Sequence, residues 1–161
     1  MSVIKILVMD VDGTLTDGKI YISEHGELFK AFNVKDGYGI HDLLPSMDII
    51  PVIITSRSSD ILVLRCKELG ITELYQGIRN KSGCLNEIVD RYGIAMCNVA
   101  YIGDDIPDMK VMSMVKEGGG LVGCPADADV EVAGISDHIS SKRGGDGAVR
   151  EFIEWIINGI K

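Results

Sequence analysis

Apolar residues along the chain gather in short runs, and three of these runs stop at side chains able to do chemistry. Ile4 to Met9, interrupted only by Lys5, ends at Asp10; Ile49 to Ile54 ends at Thr55; Val99 to Ile102 ends at Gly103 and Asp104. Gly120 to Val122 is a weaker fourth run. Segments that are apolar on both faces suit central parallel strands covered by helices. Helical patterns lie between them. Gly37 to Leu44 is short, and Ser59 to Leu69 places Ile61, Leu62, Leu64 and Cys66 ahead of a stop at Gly70. Ser82 to Tyr92 sets Leu85, Ile88 and Val89 on one face before Gly93; Asp105 to Val115 and Ala148 to Ile157 complete the set.

This alternation predicts an α/β fold: a doubly wound, Rossmann-like, mostly parallel sheet with right-handed crossovers. One segment departs from it. Lys19 to Phe32 reads as two short strands around a His25-Gly26 turn, a β-hairpin projecting beyond the sheet. No internal repeat and no linker rich in Pro, Gly or Ser divides the chain, so a single domain is expected over residues 1–161.

Composition narrows the partners. Of 161 residues, 46% are hydrophobic and 25% charged, with a net charge of −8. Nucleic acid and anionic membranes reward clustered Lys and Arg, so neither is expected as a partner. A small anionic substrate stays open, because a metal and a few local cations override the global sign. Cys66, Cys84, Cys97 and Cys124 form no C-x-x-C pair and have no His at zinc spacing. They read as free thiols in a reducing cytoplasm. The first ten residues are too short an apolar stretch for a signal peptide or a membrane span.

In an open α/β sheet, ligands bind beyond the carboxyl ends of the strands. That directs attention to Asp10 and Asp12, to Thr55 and Arg57, and to Asp104, Asp105 and Asp108. Gly13 permits a sharp turn after the first pair. Carboxylates brought together raise one another's pKa values, a cost that a hard divalent cation such as Mg²⁺ removes. Each piece also has a plain reading. An Asp after a strand is commonly a turn or cap residue, and Asp104 or Asp105 can simply cap the next helix. Lys81 is either a solvated lysine or a cation bridging a nucleophile and a phosphate; Thr55 is either a strand-end hydroxyl or a phosphoryl-oxygen donor. The acidic pieces fall at the ends of separate strands, and that shared position favours their functional reading.

Asp10-x-Asp12-Gly13-Thr14, then Thr55, then Lys81, then Gly103-Asp104-Asp105-x-x-Asp108 resemble the four ordered motifs of haloacid dehalogenase superfamily phosphatases. More narrowly, the run from Ala31 to Ile40 resembles the FNVRDGYGI segment of 3-deoxy-D-manno-octulosonate 8-phosphate phosphatases. So do Leu74-Tyr75-Gln76-Gly77 and the tail from Gly144 to Glu151. The chain departs from that pattern at Ser56, at Asp146 and at Lys35, where the family commonly has Gly, Arg and Arg. Arg57 favours the eight-carbon sugar over related nine-carbon ulosonate 9-phosphates of the sialic acid type.

The resemblance implies a nucleophilic Asp10, an acid–base Asp12, and Thr55 and Lys81 on the phosphate. It implies Mg²⁺ held by Asp10, the Asp12 carbonyl and Asp104, with Asp105 and Asp108 in support. Lys35 and Arg57 are candidates for substrate binding, and Arg143, Gly144 and Gly145 for a tail that reaches an adjacent site or forms a flexible loop. The spans from Gly13 to Thr55 and from Lys81 to Gly103 are too short for a separate cap domain. A neighbouring subunit is then expected to cover the site, and by resemblance the assembly is a homotetramer with contacts through the hairpin. A non-catalytic sugar-phosphate-binding subunit and a phosphotransferase are the rival readings. His25, His41 and His138 receive no role.

Overall fold

The structure, a computed structural model, describes residues 3–160. In chain order it comprises β1 (Ile6–Met9), β2 (Tyr21–Ser23), β3 (Gly26–Phe29), α1 (Val34–Tyr38), a π-helical turn (Gly39–Leu43), α2 (Leu44–Ser46), β4 (Ile50–Ile54), α3 (Asp60–Leu69), β5 (Glu73–Tyr75) and α4 (Lys81–Tyr92). There follow β6 (Val99–Ile102), α5 (Ile106–Glu117), β7 (Leu121–Cys124), α6 (Val130–Ile135), β8 (His138–Ile139) and α7 (Ala148–Ile160). Six strands form one sheet in the order β5-β4-β1-β6-β7-β8, and every pairing in it is parallel.

Side chains of a strand alternate between faces, so a strand apolar throughout feeds two cores. Leu7 and Met9 pack with Ile40, Leu44, Leu62, Cys66, Phe152 and Ile153 from α2, α3, α7 and the π turn. Ile6 and Val8 pack on the other side with Leu85, Ile88, Val111, Val115 and Val132 from α4, α5 and α6. This is the doubly wound arrangement the periodicity predicts. No helix among the described residues is long and apolar enough to cross a membrane.

The hairpin β2–β3 stands apart as its own antiparallel pair, pinned by stacking of Tyr21 on Phe29 with ring centroids 4.3 Å apart. Three elements were not foreseen: β5, α6 and β8, each too short to display a period. The helix expected from Gly37 begins earlier, at Val34, because the Asn33 side chain accepts from the Lys35 amide at 2.8 Å. It then runs through the π turn into α2. All four cysteines are free.

Candidate active site

The carboxyl ends of β1, β4 and β6 meet the first turn of α4 at one edge of the sheet. Asp10 directly follows β1 and is buried. Its amide donates to the Ile102 carbonyl at 3.1 Å, which fixes it against the strand that delivers Asp104. Lys81 opens α4, where the Asn80 side chain accepts from the Gly83 amide at 3.1 Å. Only 4% exposed, Lys81 places Nζ 2.8 Å from Asp10 Oδ1 and 2.7 Å from Asp108 Oδ1. Asp108 also accepts from the Tyr101 hydroxyl at 2.8 Å and from the Asp104 amide at 3.2 Å. Asp105 stays out of this cluster and caps α5, its side chain accepting from the Ile106 amide at 2.8 Å.

Between Asp12 and Thr14 the chain turns through Gly13 at φ +98°. A Cβ there would lie 2.0 Å from Asp104 Oδ2, so glycine is what lets the two acidic loops close on each other. Thr14 Oγ1 donates to Asp104 Oδ1 at 2.9 Å. Carboxylate oxygens of Asp10, Asp104 and Asp108 lie within 4.8 Å of one another.

The electrostatics record that crowding. Burial, reinforced by the Asp108 carboxylate and opposed by Lys81, raises Asp10 from the ordinary 3.8 to about 6. Burial and then the neighbouring Asp10 raise Asp104 further, to about 8, against the Thr14 hydrogen bond. Burial pulls Lys81 down, but Asp10 and Asp108 together override it and hold the ammonium form. One ammonium among three carboxylates leaves excess negative charge, and a hard divalent cation with oxygen ligands relieves it. The oxygens of Asp108 already serve Lys81, Tyr101 and the main chain. Asp10 and Asp104 therefore retain the donors a cation needs, and the set fits Mg²⁺.

The Asp12 carboxylate belongs to a second charged cluster, built with the hairpin. Lys30 Nζ lies 2.6 Å from Asp12 Oδ1 and 3.0 Å from Glu27 Oε1. Arg57 approaches the same two acids at 3.8 and 3.9 Å. Glu27 accepts a further hydrogen bond from the Ser59 hydroxyl at the start of α3. Thr55 is buried at the end of β4, its amide donating to the Tyr75 carbonyl at 2.9 Å. Among the described residues its hydroxyl meets no protein partner.

Other expected residues lie differently. The segment around Arg143, Gly144 and Gly145 is tied to its own chain by hydrogen bonds and close packing. The Gly145 amide donates to the Thr14 carbonyl at 3.1 Å and the Gly144 amide to Asp127 Oδ1 at 2.9 Å. A Cβ on Gly144 would fall 1.9 Å from the Gly13 carbonyl oxygen, so the tail packs directly on its own acidic loop. The Arg143 side chain is 74% exposed and pairs with Asp127 at 3.4 Å. Lys35 is exposed and shares a hollow with Lys142, Asp146 and Arg150, whose lining includes none of Asp10, Asp12, Lys81 or Asp104. Thr14 stood in the first motif without an assigned role, and Glu27, Lys30, Ser59 and Tyr101 are unforeseen participants. A tyrosine inside an otherwise aliphatic buried strand was the one signal available for those four.

No protein-family model matches the chain. It is 45% identical over 154 residues to the 3-deoxy-D-manno-octulosonate 8-phosphate phosphatase KdsC of Escherichia coli K12, covering 96% of this chain and 79% of that protein. Its fold matches the Moraxella catarrhalis 3-deoxy-D-manno-octulosonate 8-phosphate phosphatase, solved with a magnesium ion, a phosphate ion and a KDO molecule. The TM-score is 0.89 and the identity 41%, over 96% of this chain and 86% of that one. The cobalt-bound form of the Haemophilus influenzae phosphatase matches with TM-score 0.89 and 35% identity, over 96% and 88% of the two chains. With four motifs in order, one buried lysine between two aspartates, and this likeness along nearly all of its length, the chain belongs to the 3-deoxy-D-manno-octulosonate 8-phosphate phosphatase family of the haloacid dehalogenase superfamily.

Proposed function

We propose that this protein hydrolyses 3-deoxy-D-manno-octulosonate 8-phosphate to the free sugar acid and inorganic phosphate, with Mg²⁺ as cofactor. The observation that carries the reading is the Asp10–Lys81–Asp108 chain of contacts at 2.8 and 2.7 Å, with Asp104 beside Asp10. It aims one anionic oxygen and one ammonium at the same point beyond the sheet.

Asp10 attacks phosphorus in line, the bond from phosphorus to the sugar oxygen breaks, and an aspartyl-phosphate forms. Asp12 gives its proton to the departing sugar oxygen. It then takes a proton from water as that water attacks the same phosphorus, and the bond to Asp10 breaks to release phosphate. Lys81 and the Thr55 hydroxyl neutralise the non-bridging oxygens. Asp10, the Asp12 carbonyl and Asp104 would hold the metal, which would offset the charge of the carboxylates and the phosphate. Asp108 orients Lys81, and Asp105 holds the start of α5 that carries Asp108.

Arg57, partly exposed beside Asp12, is positioned for the substrate's anionic or hydroxylated end. Lys35 and Arg143 lie outside the cluster, and Gly144 and Gly145 contribute by shaping the loop from Gly13 to Asp17. Exposed Ile22, Leu28 and Phe29 give the hairpin apolar surface suited to contacts in the homotetramer. The four free thiols suit the cytoplasm.

The test is phosphate release from eight- and nine-carbon ulosonate phosphates and simple sugar phosphates, with MgCl₂ and with EDTA. Turnover should be metal-dependent, greatest for the eight-carbon substrate, and abolished in Asp10→Asn. Undiminished turnover in Asp10→Asn would falsify the assignment. A preference for a nine-carbon 9-phosphate would move the substrate and leave the chemistry intact.

A further inference from the structure

We infer that Lys30, carried by the hairpin, is a positioning residue that locks one oxygen of Asp12 and leaves the other for proton transfer. The inference rests on the acid–base role of Asp12 proposed above. Lys30 Nζ lies 2.6 Å from Asp12 Oδ1, and the same ammonium is 3.0 Å from Glu27 Oε1. The Lys30 side chain is 5% exposed. A lysine ammonium is withdrawn from water only where opposite charges compensate it, and here two carboxylates do so. Glu27 is itself held by the Ser59 hydroxyl and approached by Arg57, and the Ser59 amide donates to Gln76 Oε1 at 2.8 Å. Lys30 is thus anchored through Glu27 to the loop after β4. Among the described residues no donor reaches Asp12 Oδ2.

This divides the carboxylate. Oδ1 is fixed by the Lys30 ammonium, and Oδ2 is left without a donor and available to the proton. A freely rotating carboxylate would sample other orientations, and orientation is a large part of what a general acid contributes. The hairpin then does more than offer a contact surface: it builds one wall of the acid–base site.

A purely structural ion pair predicts something different, and leaving groups separate the two. The kcat/KM value reports steps only as far as aspartyl-phosphate formation. A sugar alkoxide needs its proton in that step, whereas p-nitrophenolate leaves without one. In Lys30→Met, kcat/KM for 3-deoxy-D-manno-octulosonate 8-phosphate should fall roughly 30- to 100-fold, within the range for acid–base catalysis. For p-nitrophenyl phosphate, kcat/KM should fall about threefold or less. Its kcat should nonetheless drop, because Oδ2 must still activate water. Lys30→Arg should restore part of the selectivity, and Lys30→Gln replaces Lys30→Met in the comparison if that variant does not fold. An equal loss of kcat/KM for both substrates, in whichever variant folds, overturns the inference. Asp10→Asn separates this from failure of the parent reading. If that variant is active, or the wild type releases no phosphate from the sugar, the chemistry is wrong; if only the leaving-group ratio is unmoved, Lys30 alone is wrong.

Discussion

Replacing Asp104 by Asn should make the metal-free protein more stable while removing its response to Mg²⁺. Asp104 sits half-buried beside Asp10, and its carboxyl is displaced from 3.8 to about 8 by burial and by that neighbour. A folded-state value above the unfolded one means the folded protein binds the extra proton. Stability is then greatest below about pH 4 and declines as pH rises toward 8. At about 1.4 kcal/mol per unit, the displacement corresponds to roughly 5 kcal/mol near pH 7.5. Part of that belongs equally to Asp10, and solvent at the site screens more, so about 2 kcal/mol is the expected gain. For a chain of this size that is about 4–8 °C in melting temperature. The Thr14 hydroxyl can still donate to the amide oxygen, so the loop keeps its anchor. The assay is thermal unfolding of wild type and Asp104→Asn from pH 5 to 8, in EDTA and in MgCl₂. Wild type should lose stability with rising pH in EDTA and recover it with Mg²⁺; the variant should lose less, because only the raised Asp10 carboxyl remains, and should recover little with Mg²⁺. A variant that melts lower than wild type in EDTA at pH 8, or that keeps the full Mg²⁺ shift, would refute the charge-crowding argument.

Three further outcomes follow from the same geometry. Lys81→Met strands two buried carboxylates without their shared ammonium, so urea unfolding should show a loss of about 3–5 kcal/mol, together with loss of turnover. Gly13→Ala forces a Cβ onto Asp104 Oδ2 at φ +98°; a cost of about 1–3 kcal/mol in metal-free unfolding should come with a weakened Mg²⁺ shift. Asp36→Ala removes the carboxylate that accepts from the Arg150 amide at 2.8 Å at the start of α7. It should cost about 1–2 kcal/mol in thermal or urea unfolding while kcat/KM stays within about threefold.

The sheet was legible because its strands are buried on both faces, which leaves unbroken apolar runs, and because each run ends where the chemistry begins. Convergence of Asp10 and Asp104 could be read from strand ends, since a parallel sheet brings all its carboxyl ends to one edge, with Lys81 and Asp108 delivered by the first turns of α4 and α5. The early start of the first helix was hidden because Val34 and Lys35 show no period and the signal is one side-chain cap at Asn33. β8 and α6 carry two and six residues, too few for either periodicity to emerge. The packing of the tail was not legible because glycine-rich segments look mobile. Gly144 and Gly145 are glycines for the opposite reason, since no side chain fits against the loop they cover.

Lys30 and Tyr101 mark a different boundary of sequence reading. Tyr101 reads as core, and its hydroxyl acquires meaning only when α5 brings Asp108 within 2.8 Å. Lys30 reads as a surface charge at the foot of a hairpin, and only docking of that hairpin buries it against Asp12. In both cases a polar group far from the acidic motifs supplies a donor to one of the motif carboxylates. In the proposed mechanism the motifs specify which oxygens meet phosphorus and metal, whereas the donors that hold those oxygens still come from wherever the fold delivers them. A capless enzyme of this kind must therefore draw the rigidity of its acid–base residue from something other than a lid. Here the hairpin supplies it, through one ammonium shared between Asp12 and Glu27.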